Sequence, residues 1–198
     1  MFYIVTISVA SLAIALANFI CDGIYTPEAF FMLLLSVVLG VVAVIAVDGL
    51  LAFVARRLPD RYFAPEAKLF SVGDREKKLY KKLKIESWKR YVPELGCFTG
   101  FHKDKMRDPR TSEYVGRFLL ESNYGVLGHV LGAALGFLIM LLPFLRPLAV
   151  ALPIAIVNFV LSTLPTMILR YNTPALRRLY RRNLAKEEKE KNTQRTDG

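Results

Sequence analysis

Four stretches of the chain are apolar on every face, and the charged residues fall in blocks between them. Residues 3–20 carry no charge, and residues 29–55 carry only Asp48. The third and fourth stretches cover about 125–145 and about 147–169, with Arg146 between them. Each is long enough to cross a hydrocarbon core of about 30 Å at about 1.5 Å of rise per residue. A strand reading fails because none of these runs alternates with period two. The pattern predicts an all-α membrane protein with four transmembrane helices and a basic segment between the second and third. Residues Ala15, Leu16 and Ala17 resemble a small-residue cleavage site, which leaves a signal peptide open for the first stretch. No positive charge precedes Asp22, and this favours a retained helix.

Composition agrees with this reading. Of the 198 residues 54% are hydrophobic, above the roughly 45–50% of soluble domains. All but one of the 27 lysines and arginines lie within 56–117 or from Arg170 onward, and Arg146 is the exception. The positive-inside rule then puts 56–120 and both termini in the cytoplasm of a multi-pass membrane protein. The formal charge of +10 is largely this topological signal, and no aromatic-basic module for reading nucleic acid accompanies it. The expected organisation is an N-terminal helix pair over 1–55 and a basic interfacial segment over 56–120. A second helix pair over 121–182 and a disordered polar tail over 183–198 follow. Cys21 and Cys97 fall on opposite sides of the membrane in this topology and cannot pair. With only His102 and His129 as histidines, no metal site is expected.

Within the basic segment, residues 74–88 place Leu79, Leu83 and Ile85 among five lysines. This reads as one amphipathic helix lying on the membrane. It would attract anionic lipids, capture a phosphate-bearing cosubstrate, or both. Pro93, Gly96 and Gly100 then mark loop.

Ionisable residues inside a bilayer are costly and are functional candidates. Asp48 lies about 12 Å from the end of the second span, and His129 about 8 Å into the third. Imidazole is the common general base near neutral pH. Asn158, Ser162 and Pro165 share a face of the fourth span. They either hold the bundle together through interhelical hydrogen bonds or face a substrate. Gly128, Gly132 and Gly136 form a ridge that allows close approach of another helix. On one continuous helix, Glu121 and His129 would be about 12 Å apart in rise and about 80° apart in direction. They could not pair. A partner for His129 must come from another span, and Asp48 is the acidic residue at matching depth.

Several motifs occur in a fixed order: Arg57-Leu58-Pro59-Asp60-Arg61-Tyr62-Phe63; Trp88-Lys89 followed by Pro93 and Gly96; and Gly100-Phe101-His102-Lys103. Glu121 with His129 eight residues later, and Arg170-Tyr171-Asn172-Thr173-Pro174, complete the set. Over 57–181 the chain resembles the glycosyl-4,4'-diaponeurosporenoate acyltransferase family, small bacterial membrane enzymes of carotenoid-glycolipid synthesis. It departs from the family pattern at Glu94, Val126, Leu169 and Ala175, and at Asn123 and Tyr124, where basic residues are frequent.

The resemblance implies transfer of a fatty acyl group to a sugar hydroxyl of a membrane glycolipid. No cofactor would be bound, and the cosubstrate would be acyl-CoA or an acyl carrier thioester. His129 would act as general base, with Glu121 nearer the surface on the acceptor or donor; Asp48, which lies outside the resembling stretch, joins the catalytic group on its depth alone. Trp88, Lys89, Arg170, Asn172 and Asn158 would bind substrate. Each also has a plainer reading. Arg170 can anchor a span end, Asn172 can open a turn before Pro174, Trp88 can be an interfacial aromatic, and Glu121 can favour a helix N-terminus. Expected partners are membrane lipids, the acyl donor, the glycolipid acceptor and a second copy of the chain, with no nucleic acid. Two other classes stay open. One is a non-enzymatic protein that binds anionic lipids or a partner through its basic loop. The other is a different lipid transferase such as a methyltransferase, although no glycine-rich nucleotide fingerprint is present.

Overall fold

The computed structural model describes residues 2–23, 25–92 and 108–196. These residues are helical throughout their ordered elements, with no strand among them. Helices α1 (Phe2–Asp22) and α2 (Pro27–Ala55) form an antiparallel pair. Short helices α3 (Asp74–Lys82) and α4 (Ile85–Trp88) follow, then the long helices α5 (Ser112–Leu135) and α6 (Leu152–Thr196). Four helices are long and apolar enough to cross a membrane, so the chain is built as a multi-pass helical membrane protein. The residues Pro93, Glu94, Gly96, Cys97, Gly100, Phe101, His102 and Lys103, named above, lie outside the described set.

The chain divides into two compact units, and the division falls inside α5 and α6. The apolar unit comprises Met1–Ala55 and Leu127–Pro165. Its core is built from Ala15, Val37, Val44, Ile139, Val150 and Ile154, all of them buried. Small residues let the helices close up. A side chain at Gly40 would begin 2.6 Å from Cδ1 of Ile154. Past Leu135 the backbone tightens to a 3-10 helix over Gly136–Leu141, and one turn of π-helix over Pro147–Ala151 leads into α6. The buried Asn18 donates to the carbonyls of Ile14 and Ala149, each at 2.8 Å, and so ties α1 to the π-helical turn. Arg146 forms a two-pronged pair with Asp22 at 2.5 and 2.9 Å.

The basic unit comprises Arg56–Val126 and Thr166–Gly198. Three features here correct the sequence expectation. First, residues 74–88 are not one helix. Lys84 adopts φ 50° in the left-handed region and separates α3 from α4. Leu79 and Leu83 stay exposed, while Tyr80 and Ile85 are buried. The apolar spacing predicts one helix, but the left-handed turn at Lys84 starts a new one at Ile85. Second, α6 runs through 183–196, the segment expected to be a disordered tail. Its alternating Lys and Glu residues favour helix, with Lys186 and Glu190 spaced four apart. The Glu187 carboxylate also accepts the backbone N–H of Ser112 at 2.7 Å, so a distant element holds this end of the helix. Third, Asn172 and Pro174 lie inside α6 rather than in a turn. The hydroxyl of Thr173, buried between them, bonds the Leu169 carbonyl at 2.9 Å.

Candidate functional site

The candidate residues fall into two groups, one in each unit. In the apolar unit, Asp48 of α2 comes against Gly132 of α5. A Cβ at position 132 would sit 2.6 Å from the Asp48 Oδ1, so only glycine leaves room for the carboxylate. Asn158 of α6 donates to the Gly132 carbonyl at 3.1 Å and lies within hydrogen-bonding reach of Asp48. A Cβ at Gly136 would meet the Asn158 amide nitrogen at 2.5 Å. Two glycines of the ridge therefore admit polar side chains, whereas Gly128 faces open space. The Asp48 Oδ1 is buried without a hydrogen-bond partner among the described residues.

His129 lies three residues before Gly132 on α5 and is half-buried. No hydrogen bond joins it to Asp48. The expected convergence of Asp48 on the third span is thus centred one turn beyond the imidazole, on Gly132 and Asn158. α5 is unbroken through Gly125 and Gly128. An imidazole with no fixed donor can accept a proton from an incoming hydroxyl.

In the basic unit, Arg170 is held by Glu76 and Ser71. Its Nε and Nη2 donate to the two carboxylate oxygens of Glu76 at 2.5 and 2.7 Å, and Nη2 also donates to the Ser71 carbonyl at 3.2 Å. The Tyr80 hydroxyl donates to the same carboxylate. The guanidinium holds the Glu76 carboxyl below its ordinary range. Burial, and then the hydrogen bond to the Glu76 carboxylate, push the Tyr80 phenol up to about 12. Sequence reasoning missed Glu76 and Tyr80, although their four-residue spacing puts them on one face of α3.

Trp88 closes the same cluster. Its ring packs beside Tyr80, Ile85 and Ile168, and its Nε1 donates to the Leu83 carbonyl at 2.9 Å. Lys89 pairs with Glu86 at 3.0 Å and lies 5.3 Å from the centre of the Tyr171 ring. The structure therefore brings Trp88, Lys89 and Arg170 around one aromatic cluster. Asn172 is half-buried and makes no hydrogen bond with another described residue. Glu121 is placed elsewhere in this unit, paired with Arg56 at 2.7 Å. Arg56 in turn lies over the Tyr124 ring.

Asn123 and Tyr124 explain how the segment after α2 is fixed. The buried Asn123 amide donates to the carbonyls of Phe63 and Ala64 at 2.9 and 3.3 Å. The Tyr124 hydroxyl bonds the Leu58 carbonyl at 3.0 Å and the Asp60 carboxylate at 2.8 Å, and its ring stacks on Phe63. These two residues staple 58–64 onto α5.

A family model described as glycosyl-4,4'-diaponeurosporenoate acyltransferase matches residues 59–182, more than half of the chain. Neither a curated protein nor a solved structure matches it.

Proposed function

We infer that this chain, which belongs to the glycosyl-4,4'-diaponeurosporenoate acyltransferase family, transfers a fatty acyl group from a thioester to a sugar hydroxyl of a membrane glycolipid. The observation that carries this reading is the family match over 59–182, which includes His129. That imidazole is half-buried in a helix able to span a membrane and lacks a hydrogen-bond partner among the described residues. In the proposed step, His129 takes the proton of the attacking hydroxyl as the sugar oxygen bonds to the acyl carbonyl carbon. The carbon–sulfur bond then breaks, and the proton passes to the departing thiolate. Such a base contributes about 10²–10⁴ in rate. Asp48 and Asn158 set the backbone one turn away. The distribution of lysine and arginine supports a cytoplasmic basic unit with both termini inside, the side on which a thioester donor is made.

Arg170 enters this mechanism as part of a fixed pair with Glu76, so its contribution is to hold α3 against α6 and position Trp88. Asn172 and Lys89 are assigned to the sugar or donor on the strength of the resemblance alone. The test is mass spectrometry of lipids from cells with and without the gene. A glycolipid heavier by one acyl chain is expected only with the gene. His129→Ala is expected to lower the rate at least tenfold with the protein still folded. A variant that keeps more than about a tenth of the rate removes the base assignment.

One observation supports a second reading, a protein that binds anionic lipid without catalysis. Leu79 and Leu83 of the α3 region are exposed beside Lys78 and Lys82, which form no ion pair among the described residues. On that reading, loss of these lysines abolishes function and His129→Ala does not.

A further inference from the structure

The far end of α6 carries a second candidate site, which neither the family motifs nor the proposed chemistry uses. Arg182, Lys186 and Lys189 are spaced four and three apart, so they lie along one face of the helix. With Arg110 and Pro109 from the segment before α5, they line a groove of about 660 Å³. That volume is within the range of small-molecule sites, about 300–1,000 Å³. Four cationic side chains line it together with Pro109, Leu179 and Ala185.

The groove is built rather than incidental. Asn183, itself buried, donates to the Pro109 carbonyl at 2.9 Å and fixes the opposite wall. The neighbouring acids are turned to other tasks. Glu187 accepts from the backbone N–H and the hydroxyl of Ser112. Asp108 accepts from the backbone N–H of Arg110 and the Thr111 hydroxyl. Glu190 reaches Lys186 at 3.6 Å, a loose contact. Arg110, Arg182 and Lys189 have no carboxylate partner among the described residues. Asp108 and Glu187 keep their charge nearby, but among the described residues Glu190 is the one carboxylate that contacts a lining cation, so the four cations repel one another and gain from a polyanion. Arginine forks and lysine point charges are the residue types that bind phosphate.

We propose that this groove binds the phosphate-rich nucleotide end of a coenzyme A thioester, with Arg110, Arg182, Lys186 and Lys189 on its phosphates. The proposal rests on the acyltransfer reading for its biological sense, but the binding itself does not. Arg182 lies about 18 Å along α6 from Arg170, a separation that an extended pantetheine arm can cover. The nucleotide would remain in water while the thioester reached the span end.

The test uses the full chain in lipid nanodiscs and adenosine 3',5'-bisphosphate as probe. Saturable binding is expected, weakened at least tenfold in Arg182→Glu and in the double variant Lys186→Ala, Lys189→Ala. Lys191→Glu, an equal charge change on the same helix outside the groove, should leave it unaltered. With acyl-CoA as donor, the Arg182 variant should raise the donor KM at least tenfold and leave kcat unchanged. If the probe fails to bind, or binds equally to the Arg182 and Lys191 variants, the site is wrong. Transfer that proceeds only from an acyl carrier protein, with no binding of the bisphosphate, overturns it as well. If the bisphosphate binds through Arg182 but no acyl chain is moved to any glycolipid, the site stands and the acyltransfer reading falls.

Discussion

The two units are held together by different means. In the apolar unit, side chains such as Val37, Val150 and Ile154 pack without polar help, and polar groups are confined to a few points such as Asn18 and the Asp48–Asn158–Gly132 contact. The basic unit is tied by long-range charge pairs: Glu76 to Arg170, Glu66 to Arg181 and Arg56 to Glu121. Lipid gives little reason for apolar helices to associate beyond close packing, so small residues and rare polar bonds decide the arrangement. In the basic unit, arginine forks fix segments whose own helices are too short to be stable alone. The first arrangement should be sensitive to volume, the second to charge.

Removing a clamp charge should have the largest effect. Arg170→Ala leaves Glu76 and Tyr80 partly buried without their cation. It should destabilise the basic unit by about 3 kcal/mol, measured by thermal unfolding in detergent. An unchanged melting temperature would mean that the pair is ornamental. Alkali probes the same clamp more gently. The Tyr80 phenol is raised to about 12 from 10.0, so the folded state favours its protonated form. Stability from this group is complete below pH 10 and is lost as pH rises from 10 to 12. Tyr80→Phe should flatten that loss in a pH-melting series.

Volume is the matching probe of the apolar unit. Gly132→Ala drives a methyl group to 2.6 Å from the Asp48 Oδ1 and should cost about 2 kcal/mol. Gly128→Ala meets nothing within 4 Å and should be neutral or slightly stabilising, since alanine favours helix. Equal melting temperatures for the two variants would contradict the placement of Asp48. Gly128→Ala apart, the smallest effect is expected at Lys84. Its left-handed conformation is strained for any residue with a Cβ, and Lys84→Gly should stabilise by about 1 kcal/mol. The backbone bond from Ser87 to the Lys84 carbonyl would be unaffected.

The four spans were readable from sequence because a helix in lipid must be apolar around its whole circumference, and few other arrangements produce such runs. The ends of α5 and α6 were not readable. Hydropathy marks where lipid is, not where a helix stops. Ser112 and Thr196 lie well outside the apolar windows while the backbone remains helical. Of the site, Asp48, His129 and Asn158 stood out as polar residues inside spans. Glu76 and Tyr80 did not, because a glutamate and a tyrosine among surface lysines look ordinary until a partner 94 residues away is brought to them. Asn123 and Tyr124 looked like losses from a family pattern. Their side chains are committed to the 58–64 segment.

The chain holds one tryptophan, and that indole sits in the cluster formed by Tyr80, Ile85 and Ile168 with its N–H tied to the Leu83 carbonyl. The protein thus carries an intrinsic optical label at the junction of α3, α4 and α6. Its emission reports the state of the Glu76–Arg170 clamp without any added dye, and the silent apolar unit contributes no signal of the same kind. Unfolding of the basic unit can therefore be followed alone, inside the intact membrane protein.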